Sequence, residues 1–301
     1  MDSHNFYPTE IIFASTNSCN LNCSHCFVSK ENLKLDIQKA KKIIESATSF
    51  SNQIQYIGFT GGEPFLYKEF LFEIIPFAIE KDLMFDQIMT NGVWWNSTDE
   101  LNSTIQKLYD IGYDGKFGLS FDTFHNQPMN KIKTFINCVQ TIFGDDTISI
   151  QSVVPFKKLE EHSTLIHQIK KEFPSIPIFE LPQTFNSSNE NAWKSKKWFT
   201  EDFCQGPGNI LYVHSDGNIA PCCGFANENP ELFIGTINNN FEQILENAKT
   251  NKMIQTCFSK GLSSLQNKVE QKIKIENPSF KKCNDICSFC DYICKNLSTI
   301  V

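Results

Sequence analysis

The chain has 301 residues, 41 % of them hydrophobic and 20 % charged, with a formal net charge of −7 at pH 7. That length holds one large α/β domain with a small appendage, and the acidic balance argues against a general nucleic-acid binder. All 27 basic residues are Lys, so any bound anion must be held by ammonium groups, backbone amides or helix N-termini. The greasiest stretch, 65–79, is broken by Lys68, Glu69 and Glu73, and no segment approaches the ~18 apolar residues of a membrane span. Met1 to His4 carries no signal-like region, so the expected address is the cytoplasm, with no membrane partner. The 12 cysteines are then the anomaly, because clustered thiols in a reducing compartment point to metal before disulfides.

In chain order, short apolar runs at 10–14, 54–59, 85–89, 116–121, 147–154 and 176–181 predict strands. Helical periodicity fills the gaps at 35–48, 68–80, 99–111, 129–143 and 159–173. In the first helix Ala40, Ile43, Ile44 and Ala47 form one stripe; Asp36, and Thr98 or Asp99, stand where helix starts want acceptors. Six strands alternating with five helices predict parallel βαβ units, as an open barrel or a doubly wound sheet. Functional groups then belong at the C-terminal strand ends. Residues 186–203 are polar and read as a linker between a 1–185 domain and a 204–301 domain. In the latter, 210–214 and 218–220 predict a hairpin about Asp216-Gly217, followed by helices at 241–248 and 262–273. The tail from Cys283 to Cys294 is Cys-rich and too polar to make a core alone.

Cys19, Cys23 and Cys26 follow directly on the first strand. A loop with this spacing can turn three thiolates onto one face of an iron–sulfur cubane, leaving one iron open for chemistry. A zinc site would need a fourth ligand, and His25 lies inside the loop. Thr60-Gly61-Gly62-Glu63-Pro64 follows the second strand. Its two Gly allow close approach of the backbone to a ligand, and Glu63 offers a carboxylate to an ammonium group.

These two motifs, in this order, resemble those of the radical S-adenosylmethionine enzymes. The resemblance covers about residues 8–182 and implies a partial (β/α)6 barrel. It implies that Cys19, Cys23 and Cys26 ligate a [4Fe–4S] cluster whose fourth iron is chelated by S-adenosylmethionine. Gly61, Gly62 and Glu63 would meet the methionyl ammonium, and Asn91, Ser120 and Asp122 would complete the cofactor pocket. Asp122 could equally cap the segment that follows it.

Cys204 and Cys222 bracket the hairpin, and Cys287 and Cys290 form a second close pair, which together satisfy a four-Cys cluster. The region resembles a Twitch or SPASM-like extension, a small Cys-rich α+β unit, and implies one auxiliary [4Fe–4S] cluster. The full SPASM spacing is not present at Cys283, Cys287, Cys290 and Cys294. Structural zinc, or replacement of one ligand by Cys283, Cys294 or Cys257, stays open. Cys223 follows Cys222 directly and faces the other way in extended backbone, so it is left as a free thiol. A Cys-Cys pair at this place resembles the radical peptide epimerases, where one thiol is a ligand and the other a hydrogen-atom donor. The implied reaction is L-to-D epimerisation in a ribosomally made peptide, with Cys223 catalytic and an electron donor of flavodoxin or ferredoxin type as partner. The rivals are a peptide cyclase forming thioether or C–C crosslinks, a small-molecule dehydrogenase, and a non-enzymatic Fe–S or zinc protein. Cys138 and Cys257 are expected in the core.

Overall fold

A computed structural model describes residues 6–200, 204, 210–276 and 281–300. The six expected strands form as β1 (Glu10–Ala14), β2 (Tyr56–Thr60), β3 (Met84–Thr90), β4 (Lys116–Ser120), β5 (Ile148–Val154) and β6 (Ile178–Pro182). Each neighbouring pair is parallel. The intervening helices are α1 (Ile37–Phe50), α2 (Lys68–Glu80), α3 (Thr98–Asp110), α4 (Met129–Phe143) and α5 (Leu159–Glu172). The Asp36 carboxylate caps α1 by accepting from the Lys39 amide at 2.9 Å, and the buried stripe is the expected Ala40, Ile43, Ile44 and Ala47. At α3 the cap is Ser97, one residue before the expected acceptors, because its hydroxyl reaches the Glu100 amide.

Ile11, Phe13, Ile57, Phe59, Phe117 and Leu119 point to the helices and are almost fully buried. Phe70 of α2 packs edge-on against Phe13 at 5.6 Å and Phe59 at 6.5 Å, so the Phe-rich composition becomes a continuous aromatic layer. Each such ring contributes roughly 1.5–3 kcal/mol through burial. Between β2 and β3 the register slips, Ile57 pairing with Phe85 but Phe59 with Ile88. This bulge keeps both apolar β3 residues on the helix side and turns Asp86 and Gln87 together towards the concave side.

The hairpin strands are β7 (Ile210–Val213) and β8 (Asn218–Ala220), with a short β9 (Gly235–Thr236) beyond. They do not form a separate sheet. β7 lies parallel against β1, giving the order β6-β5-β4-β3-β2-β1-β7-β8-β9. Outside it pack α6 (Phe241–Thr250), α7 (Lys252–Gln255) and α8 (Gln266–Glu276). Phe241 stacks edge-on against Phe50 of α1 at 5.8 Å. The tail read as too polar for a core is helix α9 (Ile286–Lys295), which buries Phe289, Cys290, Ile293 and Cys294 on one side. The described part of the supposed linker is a packed strap: Trp193 meets Phe289 and Tyr292 of α9, and Ser195 bridges to Lys282. Its polar composition concealed Ala192, Trp193 and Phe199, which anchor it.

Candidate functional site

The three-Cys loop leaves β1 and returns to α1 through a closed neck. The Thr16 hydroxyl donates to Leu33 O at 2.6 Å, the Leu33 amide donates to Asn17 Oδ1 at 2.7 Å, and the Leu35 amide donates to Ser15 O at 2.9 Å. Within the loop the Cys26 amide donates to Cys23 O at 3.1 Å. Cys19 and Cys23 are half-buried and Cys26 is exposed. Burial, then the neighbouring Cys19 and Cys26, push the Cys23 thiol up to about 11. His25 braces the loop, its ring 4.7 Å from Phe124 and 5.1 Å from His125.

The Gly-Gly turn abuts the loop directly. The Gly62 amide donates to Thr16 O at 2.6 Å and the Glu63 amide to Ser18 O at 2.8 Å. A Cβ on Gly61, whose φ is +141°, would stand 2.3 Å from Thr16 O, and one on Gly62 would stand 2.3 Å from Ser18 O. The glycines admit the backbone of the cysteine loop at close range. Glu63 is held by the protein as well. Its carboxylate is fully buried and accepts from the Thr90 hydroxyl at 2.9 Å, the Asn91 amide at 2.7 Å and the Phe65 amide at 3.3 Å. Burial lifts its pKa to about 7 against those three donors. Glu63 thus locks β2 to β3 beneath the turn.

Asn91 and Asp122 are also turned to the protein. Asn91 Nδ2 donates to Asn20 Oδ1 at 2.8 Å and lies 3.7 Å from Cys19 Sγ. Asp122 Oδ1 accepts from the Phe124 and His125 amides and meets His125 Nδ1 at 2.8 Å, while Oδ2 accepts from Val153 N at 3.1 Å. Burial works to raise its pKa, but the bonds from His125 and Val153 outweigh it and the net shift is downward. The capping alternative describes Asp122. Ser120 differs, lying half-buried at the end of β4 with only its carbonyl engaged, by Gln127 Nε2 at 2.6 Å, among the described residues.

The distal thiols converge as well. Cys222 and Cys287 each lie within electrostatic reach of Cys204 and Cys290, Cys223 lies within reach of Cys204, Cys222 and Cys287, and burial pushes Cys204 up to about 12 and Cys222 well above the usual range. Cys257 and Cys294 both hydrogen-bond to Cys290. Cys257 lies in the core, as expected, and a wide π-type turn, Thr256–Lys260, carries it to the thiols. Cys283 lies apart, its thiol engaged with Asp285 O at 3.1 Å.

Cys223 keeps accessible surface while Cys222 beside it is turned inward. β8 runs antiparallel to β7, with Ala220 beside Tyr212, so the chain reaches Cys223 near the N-terminal end of β1. Burial and the carboxylates of Glu10 and Asp86 raise the Cys223 thiol to about 11. Glu10 lies over Gly58 on the concave side of the sheet, with Oε1 buried and without a hydrogen-bond partner among the described residues. Cys223 and the three-Cys loop thus lie at opposite ends of β1, roughly 13 Å of strand apart.

Residues 13–144 match the radical SAM superfamily, and residues 204–291 match an iron–sulfur cluster-binding domain, SPASM. The chain belongs to the radical SAM superfamily. It is 25 % identical over 291 residues to YydG of Bacillus subtilis (strain 168), whose name assigns it to peptide biosynthesis, covering 90 % of this chain and 88 % of that protein. It is 32 % identical over 250 residues to the uncharacterized protein MJ0907 of Methanocaldococcus jannaschii, covering 70 % of this chain and 84 % of that one. The solved structure of anSMEcpe with AdoMet and a peptide bound superposes with a TM-score of 0.62 at 14 % identity, covering 97 % and 98 % of the two chains.

A radical SAM enzyme carries a [4Fe–4S] cluster that binds S-adenosylmethionine, and the SPASM domain carries auxiliary iron–sulfur chemistry. The donor set fits both: three neighbouring thiols in the first loop, and a group of thiols around Cys290 in the second, which suits iron–sulfur ligation.

Proposed function

We propose that the chain epimerises an L-residue to a D-residue in a ribosomally made precursor peptide. When bound, the cluster and S-adenosylmethionine supply a 5′-deoxyadenosyl radical that removes a hydrogen atom from substrate Cα. The observation that carries the reading is the position of Cys223. It opens to the concave side of the sheet at the opposite end of β1 from the three-Cys loop. A peptide Cα held between them is approached from two faces. Cys223 S–H gives its hydrogen atom to the Cα radical, forming the new C–H bond with inverted configuration and leaving a sulfur radical. One electron, from a flavodoxin- or ferredoxin-type donor, and one proton would then restore the thiol. Cys204, Cys222, Cys287 and Cys290 would hold one auxiliary cluster.

The test is Cys223→Ala, assayed anaerobically with the precursor peptide. Iron content and 5′-deoxyadenosine production should persist, while the D-residue disappears on hydrolysis and chiral analysis. In heavy water the parent enzyme should place one deuterium on the modified Cα, because a thiol exchanges with solvent. Formation of the D-residue by the variant at the parent rate would remove Cys223 from the mechanism. A product lighter by two hydrogens would favour the cyclase or dehydrogenase alternatives.

A further inference from the structure

The sheet stops at β6, and that edge differs from the rest of the fold. The Ile150 amide donates to Pro177 O at 2.9 Å, and β6 continues in register with Ile150 opposite Ile178 and Ser152 opposite Glu180. In a parallel ladder the backbone groups of alternate residues face one neighbour. Phe179 and Leu181 therefore face β5 with their amides and carbonyls. The amides and carbonyls of Ile178 and Glu180, and the carbonyl of Pro182, face outward, where no strand pairs with them among the described residues. Around this edge, large apolar side chains are exposed: Phe179 by 52 %, Phe156 by 51 % and Leu181 by 44 %. A long apolar edge of this kind is a template for another strand and is normally blunted or covered.

The edge is continuous with the active-site mouth. A cavity of 790 Å³ at the C-terminal end of β6 is lined by Glu180, Pro182, Phe156 and Phe185. A second, of 430 Å³, shares Phe156 and Phe185 and reaches Ser24 inside the three-Cys loop. The rim is cationic. Lys157, Lys158 and Lys194 line these cavities, and Lys194 Nζ sits 5.0 Å above the Phe156 ring. Lys157 and Lys194 have no carboxylate within ion-pair distance among the described residues, whereas the nearby acids are engaged. Glu161 pairs with Lys158, Glu180 meets His162 Nε2 at 3.3 Å, and Asp285 caps α9. In a chain of net charge −7 this is a local reversal of sign.

We infer that β6 takes the precursor peptide as an added strand, and that the groove beside it selects an extended acidic-and-apolar segment flanking the modified residue. This rests on the peptide reading above and names how the peptide is held. Main-chain bonds to Ile178 and Glu180 supply affinity without sequence demand. Alternate peptide side chains fall towards Phe179 and Leu181, and acidic ones meet Lys157 and Lys194. Docking along the edge aims the neighbouring residue at the concave face between the three-Cys loop and Cys223.

The test pans a displayed library of random peptides, anaerobically, on the iron-loaded enzyme and on Lys157→Glu/Lys194→Glu. Both substitutions are on the rim, and equal iron content and equal Tm establish that the variant is folded. The parent should enrich peptides with acidic residues among alternating apolar ones, and the variant should lose that preference in favour of basic residues. An enriched peptide is then resynthesised with one N-methyl amide moved along it. Affinity should fall roughly tenfold at every second position and little between, the period of a paired strand. Identical pools on both proteins, or an N-methyl profile without a two-residue period, would overturn the inference. Stereochemistry is scored separately. A peptide that binds with this period yet stays all-L refutes the epimerase reading and leaves the docking edge standing.

Discussion

Replacing Gly62 by Ala probes whether the two motifs behave as one mechanical unit. The added Cβ would stand 2.3 Å from Ser18 O and 2.7 Å from Asn17 C and O, all backbone atoms with no rotamer to yield. Ordinary contact needs about 3.5 Å, so the turn and the cysteine loop must separate by roughly 1 Å. That separation breaks the Gly62–Thr16 bond of 2.6 Å and the Glu63–Ser18 bond of 2.8 Å. Two bonds whose donors stay buried cost roughly 2–5 kcal/mol together. The loss falls on the segment that leads straight into Cys19. Gly62→Ala should therefore lower Tm and shed iron from the first site, with 5′-deoxyadenosine production lost in proportion, while auxiliary iron stays. Iron per chain, Tm and deoxyadenosine yield measured on one preparation decide the matter. Gly144→Ala is the control: its φ is +96° but nothing lies within 4 Å, so it costs backbone strain alone and should leave iron unchanged. Full iron and unchanged Tm in Gly62→Ala would refute the coupling of turn and loop.

Glu63→Gln keeps an oxygen for Thr90 and Phe65 but sets an NH2 group against the Asn91 amide, at about 1–3 kcal/mol. It should lower Tm and first-site iron while iron-replete molecules bind S-adenosylmethionine as before; a selective loss of that affinity at unchanged Tm would contradict the buried-lock role. Cys283→Ala should keep the auxiliary iron and Cys290→Ala should lose it, because Cys283 stands apart from the thiol nest, and auxiliary iron retained without Cys290 would overturn that grouping. Glu10 has its pKa raised from 4.5 to about 7 by burial and then by Asp86. An acid that holds its proton longer in the folded state makes stability fall as pH rises between those values, so Glu10→Gln should flatten the slope by roughly 1–3 kcal/mol, allowing for partial exposure. Tm of both proteins at pH 5 and pH 8 checks this, and an unchanged slope would show that Glu10 carries no penalty.

The barrel was legible because its signals are local. Period-two and period-3.6 runs located six strands and five helices, and the Asp36 cap and its buried stripe appear where expected. What escaped was decided by partners far along the chain. The register slip at Asp86 and Gln87 exists because Phe85 and Ile88 must both reach the helix layer, which no window around β3 reveals. The 186–200 strap looks like a linker because its anchors are few, and α9 looks like a loose tail because its buried face includes four polar or sulfur-bearing residues, Ser288, Cys290, Asp291 and Cys294. Asp291 is retained inside by Lys295, Asn229 and the Ser187 amide, two of them supplied by distant segments.

At the site, residue type was readable and direction was not. Glu63, Asn91 and Asp122 end strands two, three and four, where ligand-binding groups belong, yet each spends its side chain on the scaffold. The reason is geometric. Parallel strand ends leave amides that no sheet neighbour satisfies, and a short carboxylate or carboxamide one or two residues on is the nearest acceptor. Asp122 takes three backbone amides and Glu63 takes two, so the same chemistry that would suit a ligand is consumed in fixing the loops. A cysteine thiol is a weaker acceptor, so it competes less well for such amides. Glu10 differs, because its Oε1 is buried on the concave side of the sheet without a hydrogen-bond partner among the described residues. Substrate or cofactor has most to gain there, because partnering a buried unsatisfied oxygen recovers a desolvation cost already incurred on folding.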